Sequence, residues 1–271
     1  MIESLRRIEY IHFIRDHKID PERANPANAI FDPIRAAVFR MQKGEIDEAF
    51  WLVFLSVHFG KHGKDGWRLA RDVYGAMGGK TWSWARVSHD VAGFRRWLAA
   101  SEKNLKHDGV SRRFSNHRKY QSLSASSESG TGATIASYVN WIAPPRTHPQ
   151  LLRDVQKKVG QNPGVAFDYM YHAMDAVVGF GRLAKFDFLT MLGKLGLAPI
   201  RPNSAYLNTA TGPLSGARLL FDGDARSRAT ARQLDTQLIE LDSHLNVGMQ
   251  VLEDSLCNWQ KSPGRFVSFR G

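Results

Sequence analysis

Val178-Gly179-Phe180-Gly181 is a tight glycine turn with helix-favouring sequence on both sides. Its glycines permit a sharp reversal and let the backbone come close to a ligand. The run that follows, Arg182-Leu183-Ala184-Lys185-Phe186-Asp187, starts a helix whose first N–H groups are free to face an anion. An apolar residue, Gly-x-Gly and a basic helix start form the helix-hairpin-helix pattern. The amides of Gly179, Phe180 and Gly181, with Lys185, suit a DNA phosphate, a contact that fixes position without reading sequence. Arg112-Arg113-Phe114-Ser115-Asn116-His117-Arg118-Lys119-Tyr120 sets Arg112, Arg113, Arg118 and Lys119 beside two aromatics and an Asn-His pair. Cations bind phosphates, Phe114 and Tyr120 can stack on an unpaired base, and Asn116 and His117 can hydrogen-bond a base edge. A plain helix connection and a solvated basic loop are the bland alternatives. Asp187 sits inside an otherwise apolar run, where partial burial raises a carboxyl pKa and suits acid–base work. His58 and His62 have the four-residue spacing of helical metal ligands. Gly60 interrupts that helix and no third ligand follows, so no metal is expected, and His58 is read as a pocket or core residue.

Nearly every element that must position these groups reads as helix. Asp32-Pro33 is an N-cap followed by proline at the first helical position. Residues 46 to 59 are apolar almost all round and predict a buried helix. Residues 67 to 74 predict another, ended by Gly75, and Ser88 is placed as the cap of a helix carrying Val91, Phe94 and Trp97. Trp82 and Trp84 read as core. The polar stretch 101 to 130 reads as the best candidate for a long functional loop or lobe junction. Helix resumes at 131 to 142, Pro144-Pro145 breaks it, and 198 to 216 reads as irregular. From about Arg226 a single long helix is expected, with Leu234, Leu238, Leu241, Leu245, Met249, Leu252, Leu256 and Trp259 as its apolar stripe. Glu253, Asn258, Gln260 and Lys261 fall on its other faces, with Asp254 near the boundary. No strand alternation is convincing, so the fold class is all-α. Two helical lobes, 1–130 and 131–271, are expected to flank a cleft.

The chain has 271 residues, 43% of them apolar, and 7 tryptophans, which argues for a folded globular protein. A formal charge of +11 favours a polyanionic partner, of which nucleic acid is the commonest. Cys257 is the only cysteine, which excludes intramolecular disulfides and cysteine-rich zinc sites and suits a reducing cytosol. No signal peptide or membrane-spanning run is read, so a cytoplasmic protein, with a monomer as the simplest state, is expected.

The blocks His58-Phe59-Gly60-Lys61-His62, Gly66-Trp67-Arg68-Leu69, Ser115-Asn116-His117-Arg118-Lys119-Tyr120, Gly179-Phe180-Gly181 and the C-terminal helix Leu252-Glu253-Asp254-Ser255-Leu256-Cys257-Asn258-Trp259-Gln260-Lys261 resemble the alpha-glutamyl/putrescinyl thymine pyrophosphorylases, clade 3. The resemblance runs from about Phe50 to Phe269. It implies a fold similar to helix-hairpin-helix DNA glycosylases and a link to hypermodified pyrimidines in phage DNA. Some members are thought to install the modification. Others resemble anti-phage glycosylases that remove a bulky base such as glucosylated hydroxymethylcytosine.

The leading expectation is therefore a DNA glycosylase that extrudes a hypermodified pyrimidine from double-stranded phage DNA and leaves an abasic site, with no cofactor. A transferase that adds an amine or amino acid to an activated thymine in DNA is the alternative, and a non-catalytic hairpin DNA binder is the third reading. Monofunctional glycosylases place a catalytic Asp a fixed distance past the hairpin, and here Asn203 stands at that place. Asn cannot act as a general base, though it can hold a water. Asp187 is the first candidate to replace it, followed by Asp254 and Glu253 through the C-terminal motif. Asp168 and Asp175 precede the hairpin on one helix face. Lys185 and Lys194 are the only candidates for a nucleophilic lysine. The implied grip on DNA adds Lys261 to the basic residues already named, and the implied base pocket comprises His58, Asn116, His117, Tyr120 and Asn258.

Overall fold

The computed structural model describes residues 1–266 and 268, so Phe269, where the resemblance ends, lies outside the described residues. Among these residues there are thirteen α-helices and no strand. In chain order they are α1 (Ile2–Asp16), α2 (Pro33–Gln42), α3 (Ile46–Phe59), α4 (Arg68–Tyr74), α5 (Trp84–His89), α6 (Val91–His107) and α7 (Thr131–Ile142). Then come α8 (His148–Val159), α9 (Pro163–Ala173), α10 (Arg182–Lys194), α11 (Gly212–Asp222), α12 (Ala231–Leu245) and α13 (Met249–Trp259). The protein is all-α.

The centre is α3, whose buried residues run without a break from Ala49 to Phe59. A helix apolar on every side has to be wrapped by others, and α2, α4, α5, α8 and α10 pack around it. Phe54 stacks on Tyr138 of α7 at 3.8 Å and on Phe180 of the glycine turn at 4.7 Å, tying three elements together. Trp51 donates its indole N–H to the Trp82 carbonyl at 2.8 Å, and Trp82 and Trp84 are both core residues. Asp32 caps α2 by accepting from the Ile34 and Arg35 amides. The N-cap of α6 is Asp90, which accepts from Gly93 N–H, while Ser88 belongs to the short α5 before it.

A smaller core joins α11, α12 and α13 through Leu234, Leu238, Leu252 and Leu256. The single long C-terminal helix expected from the leucine stripe is in fact two helices. Asn246 (φ +50°) and Gly248 (φ +89°) reverse the chain between them, and Asp242 ends the first by accepting from the Val247 and Gly248 amides. Leu234, Leu238, Leu241, Met249, Leu252 and Leu256 still face one small core, whereas Leu245 is exposed. The reversal turns Trp259 outward, 39% exposed, and buries Glu253 at 6%. Four helices were not foreseen: α1, the short α5, α8, and α11, which falls partly within the stretch read as irregular.

Candidate active site

A cavity of about 480 Å³ opens between α1, the start of α2, the end of α3, the loop 115–118, α10 and α13. Its size lies within the roughly 300–1,000 Å³ typical of small-molecule sites. Its floor is one face of α10, where Asp187, Thr190, Met191 and Lys194 follow at helical spacings of three, four and seven. The opposite wall is α13, with Gln250, Glu253 and Asp254 at the same spacing, and α1 closes one side with Arg7 and the apolar Ile8, Ile11 and Ile14.

Asp187 is the best-placed carboxylate. Its side chain is 46% exposed, and it lines the cavity opposite the Arg118 guanidinium, which stands 3.4 Å away. Burial raises its pKa, and the cations Arg118 and Lys194, with His117, oppose that rise. Arg118 is held from behind, because its Nε donates to the Val57 carbonyl at 2.9 Å and only 9% of the side chain is exposed. Lys194 completes the floor. Burial lowers its pKa, opposed by Asp187 and Asp254. On α13, Glu253 accepts from Arg182 at 2.6 Å, and both partners are 8% exposed. Burial raises the Glu253 pKa, and Arg182 holds it down. Asp254 pairs with Arg7 of α1 and accepts from the Asn258 amide at 2.9 Å.

The loop that delivers Arg118 is itself clamped. Arg112 bridges Asp72 and Asp108 with 5% of its side chain exposed, and Arg113 pairs with Asp65 at 2.8 Å. These two arginines, read from sequence as phosphate contacts, are committed to carboxylates. Gly60 (φ +66°) lies against Ser115, where a Cβ would come 2.1 Å from the Ser115 Oγ, so the loop packs directly on the end of α3.

The cavity thus gathers Asp187, Glu253, Asp254, Lys194, Arg118 and His117 from the sequence candidates. The other candidates do not line it. Asn203 lines a neighbouring groove and accepts weakly from the Tyr206 hydroxyl at 3.4 Å. Asn258 acts behind Asp254, and the exposed Lys261 reaches the Asn258 amide oxygen at 3.3 Å. Asn116, Lys119 and Tyr120 point to solvent, Tyr120 being 90% exposed with the Lys119 ammonium 5.0 Å from its ring centroid.

His58, read as a pocket donor, is a core residue, 2% exposed and stacked on Phe54. The Thr131 hydroxyl gives its only hydrogen to the Ser122 carbonyl, so the His58 Nε2–H donates to Thr131 at 3.0 Å. Burial pushes the imidazole down to about 3, so it is neutral. His62 sits in a turn beside Asp65, and among the described residues no group of three His, Cys, Asp or Glu could hold a metal ion.

The hairpin takes the expected form. Gly179 has φ +75° and Gly181 is the N-cap of α10; both are exposed, and no side chain caps this helix. Phe180 is 4% exposed and anchors the turn in the core. Lys185 does not reach outward, because it pairs with Asp175 and lies 4.0 Å from the Tyr171 ring centroid. Asp168 accepts from the Tyr206 hydroxyl at 3.0 Å.

Several site residues were missed from sequence. Arg7, Lys61, Thr190 and the Asp32–Arg35–Tyr10 cluster line the cavity, with Arg35 bonded to Asp32 at 2.7 Å and to Tyr10 at 2.9 Å. The spacing Asp187, Thr190, Met191, Lys194 was a usable signal, whereas nothing local in α1 tied it to α13.

One family model matches this chain over residues 1–271, the alpha-glutamyl/putrescinyl thymine pyrophosphorylase clade 3. The chain belongs to this family. The match includes the first 49 residues, which the sequence resemblance left out and which supply the α1 wall. No curated protein and no solved structure matches the chain. Among the described residues no helix is long and apolar enough to cross a membrane.

Proposed function

We propose that this protein is a DNA base-modifying transferase. It joins a small amine or amino acid to a thymine-derived base in DNA whose 5-methylene carries a pyrophosphate, which is released. The family's description, which names glutamyl and putrescinyl groups, thymine and pyrophosphorylase, supports this reading ahead of base excision. The observation that carries it is the meeting of Asp187, Arg118, Lys194 and Asp254 around one cavity. An amine-for-pyrophosphate exchange needs both signs of charge in one place. Arg118 and Lys61 form a cationic side for the anionic leaving group, and Asp187 and Asp254 attract the incoming ammonium. The free amides at Gly179, Gly181 and the start of α10 hold the DNA backbone while the base is extruded into the cavity. Helix α10 both begins at that grip and carries the floor of the site.

The test uses a duplex containing one pyrophosphorylated 5-hydroxymethyluracil, supplied with putrescine or glutamate. Mass spectrometry should show the amine adduct, with release of pyrophosphate. Asp187→Asn, which removes the charge that holds the ammonium, should lower the rate about 10²–10³-fold, the usual cost of losing one preorganised electrostatic group, and leave duplex binding intact. A wild-type protein that binds this DNA yet yields neither adduct nor pyrophosphate overturns the reading.

Base excision is the second reading, favoured by Asp187 lining a base-sized cavity on the helix that follows the hairpin. It would place the protein in defence against phages with hypermodified DNA. Free base released from glucosylated hydroxymethylcytosine DNA, and not from unmodified DNA, would decide for it. A purely binding protein would keep its biological effect with alanine at Asp187, Glu253 and Asp254.

A further inference from the structure

Lys194 is the one basic side chain on the cavity floor, and it stands apart from its neighbours. Arg7 is paired with Asp254, Arg35 with Asp32, and Arg118 with Asp187 and the Val57 carbonyl. No hydrogen bond or ion pair engages the Lys194 ammonium among the described residues, although its backbone carbonyl accepts from Arg15 at 3.2 Å. Side chains on a helix lean toward its N-terminus. Lys194 therefore reaches back along α10 toward Asp187, seven residues earlier and about 10 Å away along the axis.

Resting on the transfer reaction above, we propose that the Lys194 Nζ accepts the proton that the incoming ammonium loses before its nitrogen attacks the activated methylene of the base. One N–H bond of the ammonium breaks and its electron pair becomes the nucleophile. The proton goes to Lys194, a C–N bond forms, and the C–O bond breaks with its electron pair leaving on pyrophosphate. Lys194 then returns the proton to water through the cavity mouth. Asp187 and Asp254 hold the ammonium by charge, a task that a carboxylate performs only while it stays ionised.

The surroundings suit this division of labour. Ile11 and Ile14 of α1 and Met191 of α10 line the cavity with Lys194, which is half-buried. The charged and titratable groups facing it are Asp187 on its own helix, Glu253 and Asp254 on α13, Arg7, His12 and Arg15 on α1, and His117 and Arg118 on the loop. Burial outweighs the two carboxylates and moves Lys194 below the ordinary lysine value of 10.5, toward the working pH where a general base is most effective. Asp187 shifts the other way for the same reason, but it is already engaged by Arg118.

The experiment pairs two variants with two nucleophiles. Lys194→Met keeps the length, and Lys194→Arg keeps the charge without a titratable amine. With putrescine, both should lose about 10²–10⁴-fold in kcat. With methoxyamine, which is neutral at pH 7 and has no proton to surrender before attack, both should recover to within a few-fold of wild type. Equal losses with the two nucleophiles, or full activity of Lys194→Arg on putrescine, would overturn the assignment. A wild type inactive with both nucleophiles would instead overturn the transfer reaction. A separate measurement does not depend on activity: NMR titration of the reductively ¹³C-methylated protein, with the Lys194 signal assigned by its loss in Lys194→Arg. Lys194 should titrate below the exposed lysines, and titration among them would refute the proposal.

Discussion

At the scale of single residues, burial turns similar side chains into different tools. His58 and His117 are close in space to the same cavity, yet one is a neutral core group and the other an exposed residue at its edge. Asp187 was legible as a candidate because a lone acid in an apolar run predicts partial burial, and its pKa moves upward as such a placement requires. The pairings of Arg112 with Asp72 and of Arg113 with Asp65 were not legible, since those acids lie forty or more residues away, whereas Asp108, four residues before Arg112, was close enough to be read. His58 gives a direct test. Its folded-state pKa is about 3 against an ordinary 6.5, so the unfolded chain binds a proton there that the folded protein refuses. Its stabilising contribution is complete above pH 6.5 and is lost as pH falls toward 3, by about 1.4 kcal/mol per pH unit. Urea unfolding of His58→Gln across that range should show a slope flatter by about one proton, and an unchanged slope would mean that His58 is not held neutral.

At the scale of elements, periodicity told most where one helix has one environment. The limits of α3 and α7 coincide with the sequence reading because an all-round apolar run and a Pro-Pro stop leave little choice. The stripe from Leu234 to Trp259 misled because a reversal at Asn246–Gly248 keeps most of its leucines on one core while changing the helix, and hydrophobic spacing is blind to that. The same small core orients the acidic wall of the cavity. At the crossing of α11 and α13, a Cβ on Gly216 would lie 2.5 Å from the Leu256 carbonyl oxygen. Gly216→Ala must therefore push the helices apart, at about 1–3 kcal/mol for overpacking. Thermal unfolding should report that loss, and activity should fall with it because α13 carries Glu253 and Asp254. A variant as stable as wild type would show that the helices separate freely.

At the scale of the whole molecule, the charge of +11 was plain in the sequence, but its distribution was not. Much of the basic loop is spent internally on acids, and the exposed Lys119 is among the cations left facing solvent. Salt dependence of duplex binding should separate the two kinds of cation. Lys119→Ala should reduce the slope of log affinity against log salt by about one ion. Arg113→Ala, whose partner Asp65 already neutralises it, should leave that slope nearly unchanged, and the opposite ranking would place the DNA elsewhere. The anchoring of the turn has a mechanical corollary. Phe180 rivets the exposed glycines to Phe54, and α3 runs from Phe54 to the Val57 carbonyl that braces Arg118. The glycine turn and the guanidinium at the cavity are therefore tied to one helix. If DNA seats on the turn, as proposed, turn and guanidinium keep a fixed separation, and the bending needed to bring a base to the cavity falls on the DNA.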